Sequence, residues 1–122
     1  MAGFTPSEAQ ETLDERFPTS GAADWIGWSV NGASEFAGLA RTAVGADGWA
    51  PATLADPSVK ANDVELLTAA ATAGGTVSHF AVFTASSGGR QRVDWTALAS
   101  SRPVAVGDQL RAAVGALGVT LT

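Results

Sequence analysis

The stretch that most constrains the fold is GGTVSHFAVFTASSGG, residues 74–89, a run of apolar and β-branched residues between two glycine pairs. In an extended backbone, successive side chains point to opposite faces of a sheet. Val77 then shares one face with His79, the single histidine of the chain, whereas Phe80 and Val82 lie on the other face. A strand that is apolar on both faces belongs inside a layered β structure.

The rest of the chain has a similar alternation of strand-like and turn-like segments. Short β-branched or aromatic runs are separated by turn residues about every ten positions, which is typical of a sandwich or barrel. We therefore predict a mainly β chain, an antiparallel β-sandwich of jelly-roll type with a short N-terminal helix. Strands are expected over residues 23–30, 36–44, 76–85 and 90–98, the last one ended by SSRP, and a hairpin is expected around Gly107 before a final strand. A short helix is the alternative for residues 36–44.

The N-terminal segment has the pattern of a helix. Thr5, Pro6 and Glu8 occupy the N-cap, first and third helical positions of a capping box. One apolar stripe follows at helical spacing: Ala9, Leu13 and Phe17. Because so thin a stripe cannot hold an isolated helix in water, the helix must pack on the domain or on a neighbour. We divide the chain into a helix and arm, residues 1–22, and a sandwich domain, residues 23–122.

Charge and cysteine content exclude several classes of function. The net charge is −5, without the clustered Lys and Arg that phosphate binding needs, so we expect no nucleic-acid partner. The absence of cysteine excludes disulfides and thiolate metal sites. No apolar run approaches the roughly 20 residues of a membrane span, so no membrane partner is expected either.

Residues with catalytic potential do not form a recognisable site. A zinc ion needs three or four ligands, and His79 is alone, so we interpret it as a structural residue. The serines lack the G-x-S-x-G pattern, and Asp63 and Glu65 are best explained as a solvated face. We therefore expect no catalytic residue, no metal and no cofactor. Four tryptophans fit either packing or stacking on a sugar: Trp25, Trp28, Trp49 and Trp95.

Five segments of the second half carry a resemblance to a known family. They are TVSHFAVF (76–83), GG (88–89), AL (97–98), VAVGDQL (104–110) and GALGVTL (115–121). In this combination the last fifty residues resemble a family of small virion proteins of tailed bacteriophages, whose members are labelled head decoration protein or tail fibre protein. The resemblance implies a framework role for His79 and a structural, non-enzymatic protein of the virion, made in the cytoplasm of the bacterial host.

Two roles within a virion follow from this resemblance. The main expectation is a capsid decoration protein that binds the major capsid protein as a homo-oligomer and stabilises the outer shell. The alternative is a tail fibre or tail-tip component that contacts tail proteins and the host. A carbohydrate-binding module is a further alternative, and an enzyme is the weakest. The candidate partner contacts are Phe4, Leu13, Phe17, Asp24, Trp49 and Asp56, from the helix and the acidic loops.

Overall fold

The computed structural model describes residues 5–18, 24–45, 48–54 and 58–121, and this part of the chain is mainly β. Its elements are α1 (Pro6–Arg16), β1 (Trp25–Ser29), β2 (Thr42–Ala43), β3 (Ser58–Ala61), β4 (Leu66–Leu67), β5 (Gly75–Phe83), β6 (Gln91–Val104), β7 (Arg111–Ala112) and β8 (Gly118–Leu121). Every strand pairing is antiparallel. The predicted class, an antiparallel β fold with one short N-terminal helix, is confirmed.

Strand β5 occupies the interior position that its two-sided apolar pattern predicts. The main sheet has the order β2-β1-β5-β6, and the other strands form two ribbons, β3-β8 and β4-β7. Trp28 of β1 pairs with Phe80 of β5, which pairs in turn with Thr96 of β6. Val77 and Val82 are fully buried, so the strand contributes to packing along most of its length.

Helix α1 begins and ends where the sequence predicts. The Thr5 side chain accepts a hydrogen bond from the Glu8 amide at 3.3 Å, and the helix ends at Arg16 just before Phe17. Its apolar stripe joins the same core cluster as the sheet and both ribbons. Leu13 and Phe17 belong to that cluster, which places the helix against the β structure. The division of domains at residue 22 stays a prediction.

The segment 36–44, predicted as a strand, is extended only at β2. The amide of Phe36 donates to the Trp28 carbonyl at 2.7 Å, and the amide of Leu39 donates to the Phe36 carbonyl. These bonds turn the chain sharply after it leaves β1. The prediction of a strand is therefore wrong for residues 36–41, because the Phe36 amide bonds back to β1 and the chain turns at Leu39 instead of pairing with another strand.

The ends of β6 and the expected hairpin also differ from the prediction. SSRP does not end the strand, since Pro103 is paired with Thr76 and lies on an edge strand, where a missing amide is tolerated. The turn at Gly107 is present, with φ +92. It makes no hairpin, because β7 pairs with β4 instead of β6. Thr68 directs this pairing: its hydroxyl and carbonyl accept from Leu110 and Gln109.

Strand β6 is irregular along its pairing with β5. The register shifts at three points, and the largest shift falls between Ala97 and Arg102. Residues 98–101 of β6 are paired with no residue of β5. On β5, only Ser78 lies between the two flanking paired residues, Val77 and His79. Bulges of this kind bend a strand and redirect its side chains. The bend brings part of β6 to the mouth of a cavity described below.

Candidate functional site

A compact group of four residues joins α1 to the sheet, and we call it the helix junction: Phe17, Asp24, Trp49 and Arg92. Trp49 Nε1 donates to Asp24 Oδ2 at 3.0 Å, and Arg92 Nη1 donates to Asp24 Oδ1. The Arg92 guanidinium lies 4.3 Å from the centroid of the Phe17 ring, which packs edge-on against Trp49. The buried carboxylate is thus fully engaged by a cation and an indole N–H.

The helix junction contains three of the predicted partner contacts, and all of them are occupied within the chain. Phe17, Asp24 and Trp49 are at most 6% exposed, and Leu13 is 3% exposed. Phe4 and Asp56 lie outside the described residues. That these residues touch a partner stays a prediction. The sequence analysis missed Arg92, whose alternation with Val93 in a strand-like run gave no sign of a distant carboxylate.

A second ionic contact holds α1 against β3. Lys60 has no exposed surface, and its Nζ donates to Asp14 Oδ1 at 2.7 Å. The same oxygen accepts from the Ala52 amide at 2.8 Å. Partial burial alone would raise the pKa of Asp14, but the hydrogen bonds from Lys60 and Ala52 outweigh it and hold the pKa below its ordinary value. The sequence analysis missed this pair, because its two residues lie 46 positions apart.

A third basic residue, Arg41, fixes the loop between β5 and β6. Its Nε and Nη2 donate to both oxygens of Glu35, at 2.9 and 3.0 Å. Its Nη1 donates to the carbonyls of Ala85 and Gly88, and its guanidinium lies 3.6 Å from the ring centroid of Phe83. A bidentate, stacked arginine is the arrangement that suits guanidinium geometry best. The loop is therefore held in place by side-chain contacts as well as by its own turn.

The contacts of His79 are those of a residue with a structural role. Its Nδ1 lies 2.7 Å from Ser78 Oγ, and its ring packs so closely on Gly32 that a Cβ there would lie 2.9 Å from Nε2. No carboxylate hydrogen-bonds to the ring among the described residues, so the Ser78–His79 pair has no third group to orient it. Within the same residues, no group of three His, Cys, Asp or Glu side chains could hold a metal ion.

A cavity of about 80 Å³ lies between the bent part of β6 and the segment around β7. Its apolar lining includes Trp28, Leu98, Leu110 and Leu117, and Arg102 contributes to it as well. Trp28 is 1% exposed, and its Nε1 has no hydrogen-bond acceptor among the described residues. An unpaired indole N–H is unusual in a protein interior.

The tryptophans offer little surface for sugar stacking. Trp28 and Trp49 are buried, whereas Trp25 and Trp95 are half-buried. The Trp95 ring packs edge-on against Phe83, with centroids 5.8 Å apart. Stacking on a sugar needs an exposed ring face, so two of the four residues that motivated a carbohydrate-binding function are unsuited to it.

The two edges of the main sheet differ in length. At one edge, β2 spans two residues, whereas at the other edge β6 spans 14 residues. We call residues 95–101 of β6 the open edge. Ala97, Ala99, Ser100 and Ser101 within it are exposed. The helix of the described part, α1, is far too short to cross a membrane.

Comparison with known families decides between the classes of function. The model of the family described as Podophage GP4 fiber I protein gp80 matches residues 16–120, which include β1 to β7 and all but the last residue of β8. The chain belongs to this family. It is therefore a phage structural protein of the fiber type and a component of the virion. A search of curated proteins finds no match. The resemblance to phage virion proteins is confirmed for the fiber label, and the head-decoration label has no support from this match.

Proposed function

We propose that this chain is a non-enzymatic structural subunit of a fiber carried by the tail of a phage particle. The family match over residues 16–120 carries the proposal, because it includes the main sheet and all but one residue of the two ribbons. The capsid decoration role, our first expectation, has no comparable support. The partners proposed here are accordingly other fiber and tail proteins in place of the major capsid protein.

The arrangement of the polar residues is in keeping with a structural role. Charged side chains are used to join elements: Arg92 joins β6 to Asp24, which directly precedes β1, and to the Arg16 carbonyl at the end of α1, and Lys60 joins β3 to α1 through Asp14. Among the described residues, the perturbed carboxyl group, Asp14, lies in such a joint and outside the cavity. Catalytic sites usually concentrate groups with perturbed pKa values in a cleft, whereas Asp14 joins two elements of the fold.

Immunogold electron microscopy of purified particles tests the location, with an antibody raised against the purified chain and pre-absorbed antibody as the control. Quantitative mass spectrometry of the same particles gives the copy number relative to the major capsid protein. Gold on the fibers and a low copy number are expected. Gold spread over the head, with copies comparable to those of the capsid protein, would return the decoration role. Absence from particles would overturn the proposal.

A further inference from the structure

The turn at the end of β1, residues 29–34, contains the chemically labile pair Asn31–Gly32, and we call it the Ser29 turn. Asparagine is a thermolabile residue, because the backbone amide that follows it can attack its side chain. Glycine in the next position hinders this attack least, since it has no side chain. Asn31 is exposed, so water and hydroxide can reach it. Burial therefore does not protect Asn31, and any protection must come from its hydrogen bonds.

Loss of the side-chain amide begins with cyclisation. The Gly32 amide nitrogen loses its proton and attacks Cγ of Asn31, so that an N–C bond forms and the C=O electron pair moves to Oδ1. The side-chain amino group then takes up a proton and leaves as ammonia, which gives a five-membered succinimide. Water opens this ring at either carbonyl and gives aspartate or isoaspartate, whose backbone is longer by one methylene group. The rate depends on how freely the Gly32 nitrogen can reach Cγ.

Ser29 holds the attacking nitrogen. Its side chain is fully buried, and its Oγ accepts hydrogen bonds from the amides of Gly32 at 2.9 Å and Asn31 at 3.2 Å. The same hydroxyl donates to the Ser34 carbonyl at 2.6 Å, which fixes the direction of the oxygen. A succinimide nitrogen has no proton, so cyclisation removes the bond from Gly32 to Ser29 entirely. Because Ser29 is buried, water does not replace that bond, and its loss opposes the reaction.

The carboxamide of Asn31 is also held in place. Its Oδ1 accepts from the amides of Ala33 at 2.8 Å and Ser34 at 3.0 Å, which is an Asx turn continued by one residue. The same Oδ1 lies 3.1 Å from Ser29 Oγ. The attacking nitrogen and the carboxamide are thus each bonded within the turn, and the ring can close only after the Gly32 amide gives up its bond to Ser29.

The fold depends on the same glycine that makes Asn31 labile. Gly32 has φ +73, a conformation that residues with a side chain rarely adopt. A Cβ at this position would lie 2.9 Å from Nε2 of His79. Isoaspartate at position 31 would lengthen the backbone and displace Gly32 from its contact with the His79 ring. The position therefore combines a required glycine with a modification that would damage the turn.

We propose that Ser29 protects Asn31 from deamidation by holding the Gly32 amide. Ser29 acts through that amide alone and takes no part in a reaction. The protection is useful to a virion component, because a particle outside its host cannot replace a damaged chain. The inference concerns contacts within one chain and is independent of whether the protein lies on the tail or on the head.

Peptide mapping by mass spectrometry tests the protection, after incubation of the purified full chain at mildly alkaline pH. Deamidation replaces –NH₂ by –OH, and the peptide that contains Asn31 shows the change in mass. The folded wild type should deamidate at Asn31 more slowly than the chain unfolded in urea, by on the order of tenfold, the effect of about one hydrogen bond. Ser29→Ala should raise the rate in the folded chain by a similar factor.

Two control variants separate this contact from a general loosening of the fold. Ser34→Ala removes another hydroxyl of the Ser29 turn but leaves the bond from Gly32 to Ser29 intact, so the rate should be unchanged. Trp49→Phe breaks a buried hydrogen bond in the helix junction and should also leave the rate at Asn31 unchanged. Far-UV circular dichroism verifies that each variant is folded.

Two outcomes would overturn the proposal. One is a folded Ser29→Ala variant that deamidates no faster than the wild type. The other is a folded wild type that deamidates as fast as the unfolded chain or faster, because the amides bonded to Oδ1 would then promote the attack by stabilising negative charge on that oxygen. If Ser29→Ala does not fold, the comparison of folded and unfolded wild type decides alone.

Discussion

The helix junction and the open edge differ in whether their polar groups have hydrogen-bond partners. At the junction, Asp24 is bonded by both Trp49 and Arg92, and every partner comes from the same chain. At the open edge, a run of backbone lies at the margin of the sheet, and the nearby Trp28 N–H has no acceptor among the described residues. The polar groups of the first region have partners within the chain, whereas the second region has one side without a neighbouring strand.

This difference separates the residues that keep the fold from those available to a partner. A buried charge that already has its partners gains nothing from a second protein. An unpaired edge gains hydrogen bonds when another strand arrives. Sequence reasoning selected Asp24 and Trp49 as contacts because they are acidic or aromatic, but their bonding partners lie far away along the chain.

The largest expected difference between the two regions concerns two arginines of the same strand. Arg92→Ala leaves the buried Asp24 carboxylate without its cation, which should lower the free energy of unfolding by about 3 kcal/mol. Arg102→Ala removes an exposed side chain and should change it by less than about 0.5 kcal/mol. Urea unfolding of both variants measures the difference. Equal losses would mean that the junction is no more essential to the fold than the edge.

Two tryptophans give the next largest contrast. Trp49→Phe and Trp28→Phe shorten buried side chains alike, but only the first breaks a hydrogen bond, the one to Asp24. Trp49→Phe should therefore be the more destabilising by about 1–3 kcal/mol, the cost of leaving a buried partner unsatisfied. Thermal and urea unfolding of the pair gives this difference directly. A greater loss for Trp28→Phe would show that its N–H is satisfied in solution.

The smallest expected effect is a dependence on pH that arises from Asp14. Its pKa is held below the ordinary value of 3.8 in the folded chain, so the folded state binds this proton less readily than the unfolded state. The stabilisation by the Asp14–Lys60 pair is thus complete well above 3.8 and is lost as the pH falls through the folded pKa. Asp14 is 40% exposed, which limits the size of the effect.

The measurement is the free energy of unfolding between pH 2.5 and 6 for the wild type and for Asp14→Asn. The difference between the two should be constant at the upper end and should shrink toward the acid end. Lys60→Met serves as the control because it removes the cation. Adding Asp14→Asn to this variant should then cause no acid-dependent difference in the free energy of unfolding. If the difference stays the same across the whole pH range, Asp14 is not the origin of the pH dependence.

Local sequence signals were sufficient to predict the elements that depend on nearby residues. The capping box at Thr5 and Glu8 set the start of α1, and the two-sided apolar pattern of residues 76–83 placed β5 inside a sheet. The prediction was wrong for residues 36–41, because the bond from the Phe36 amide to Trp28 requires the folded sheet. The prediction of a hairpin at Gly107 was wrong for a similar reason, since β7 pairs with β4, which lies far away along the chain.

The functional surface was harder to predict than the fold. The Arg92–Asp24 and Lys60–Asp14 pairs join residues 68 and 46 positions apart, and no periodicity reveals such partners. The open edge depends on the strand order and on the shift in register between Ala97 and Arg102, which only the fold shows. The motifs of residues 76–121 did indicate a phage virion protein, because those segments form much of the framework that the fiber family shares.

Hydrogen–deuterium exchange of the wild-type chain tests most directly the contrast between the two regions. We expect amides of residues 98–101, which have no paired residue on β5, to exchange rapidly. Amides of residues 79–83, which lie between β1 and β6, should exchange slowly. Slow exchange of residues 98–101 would contradict the account, because this part of the edge would then be paired.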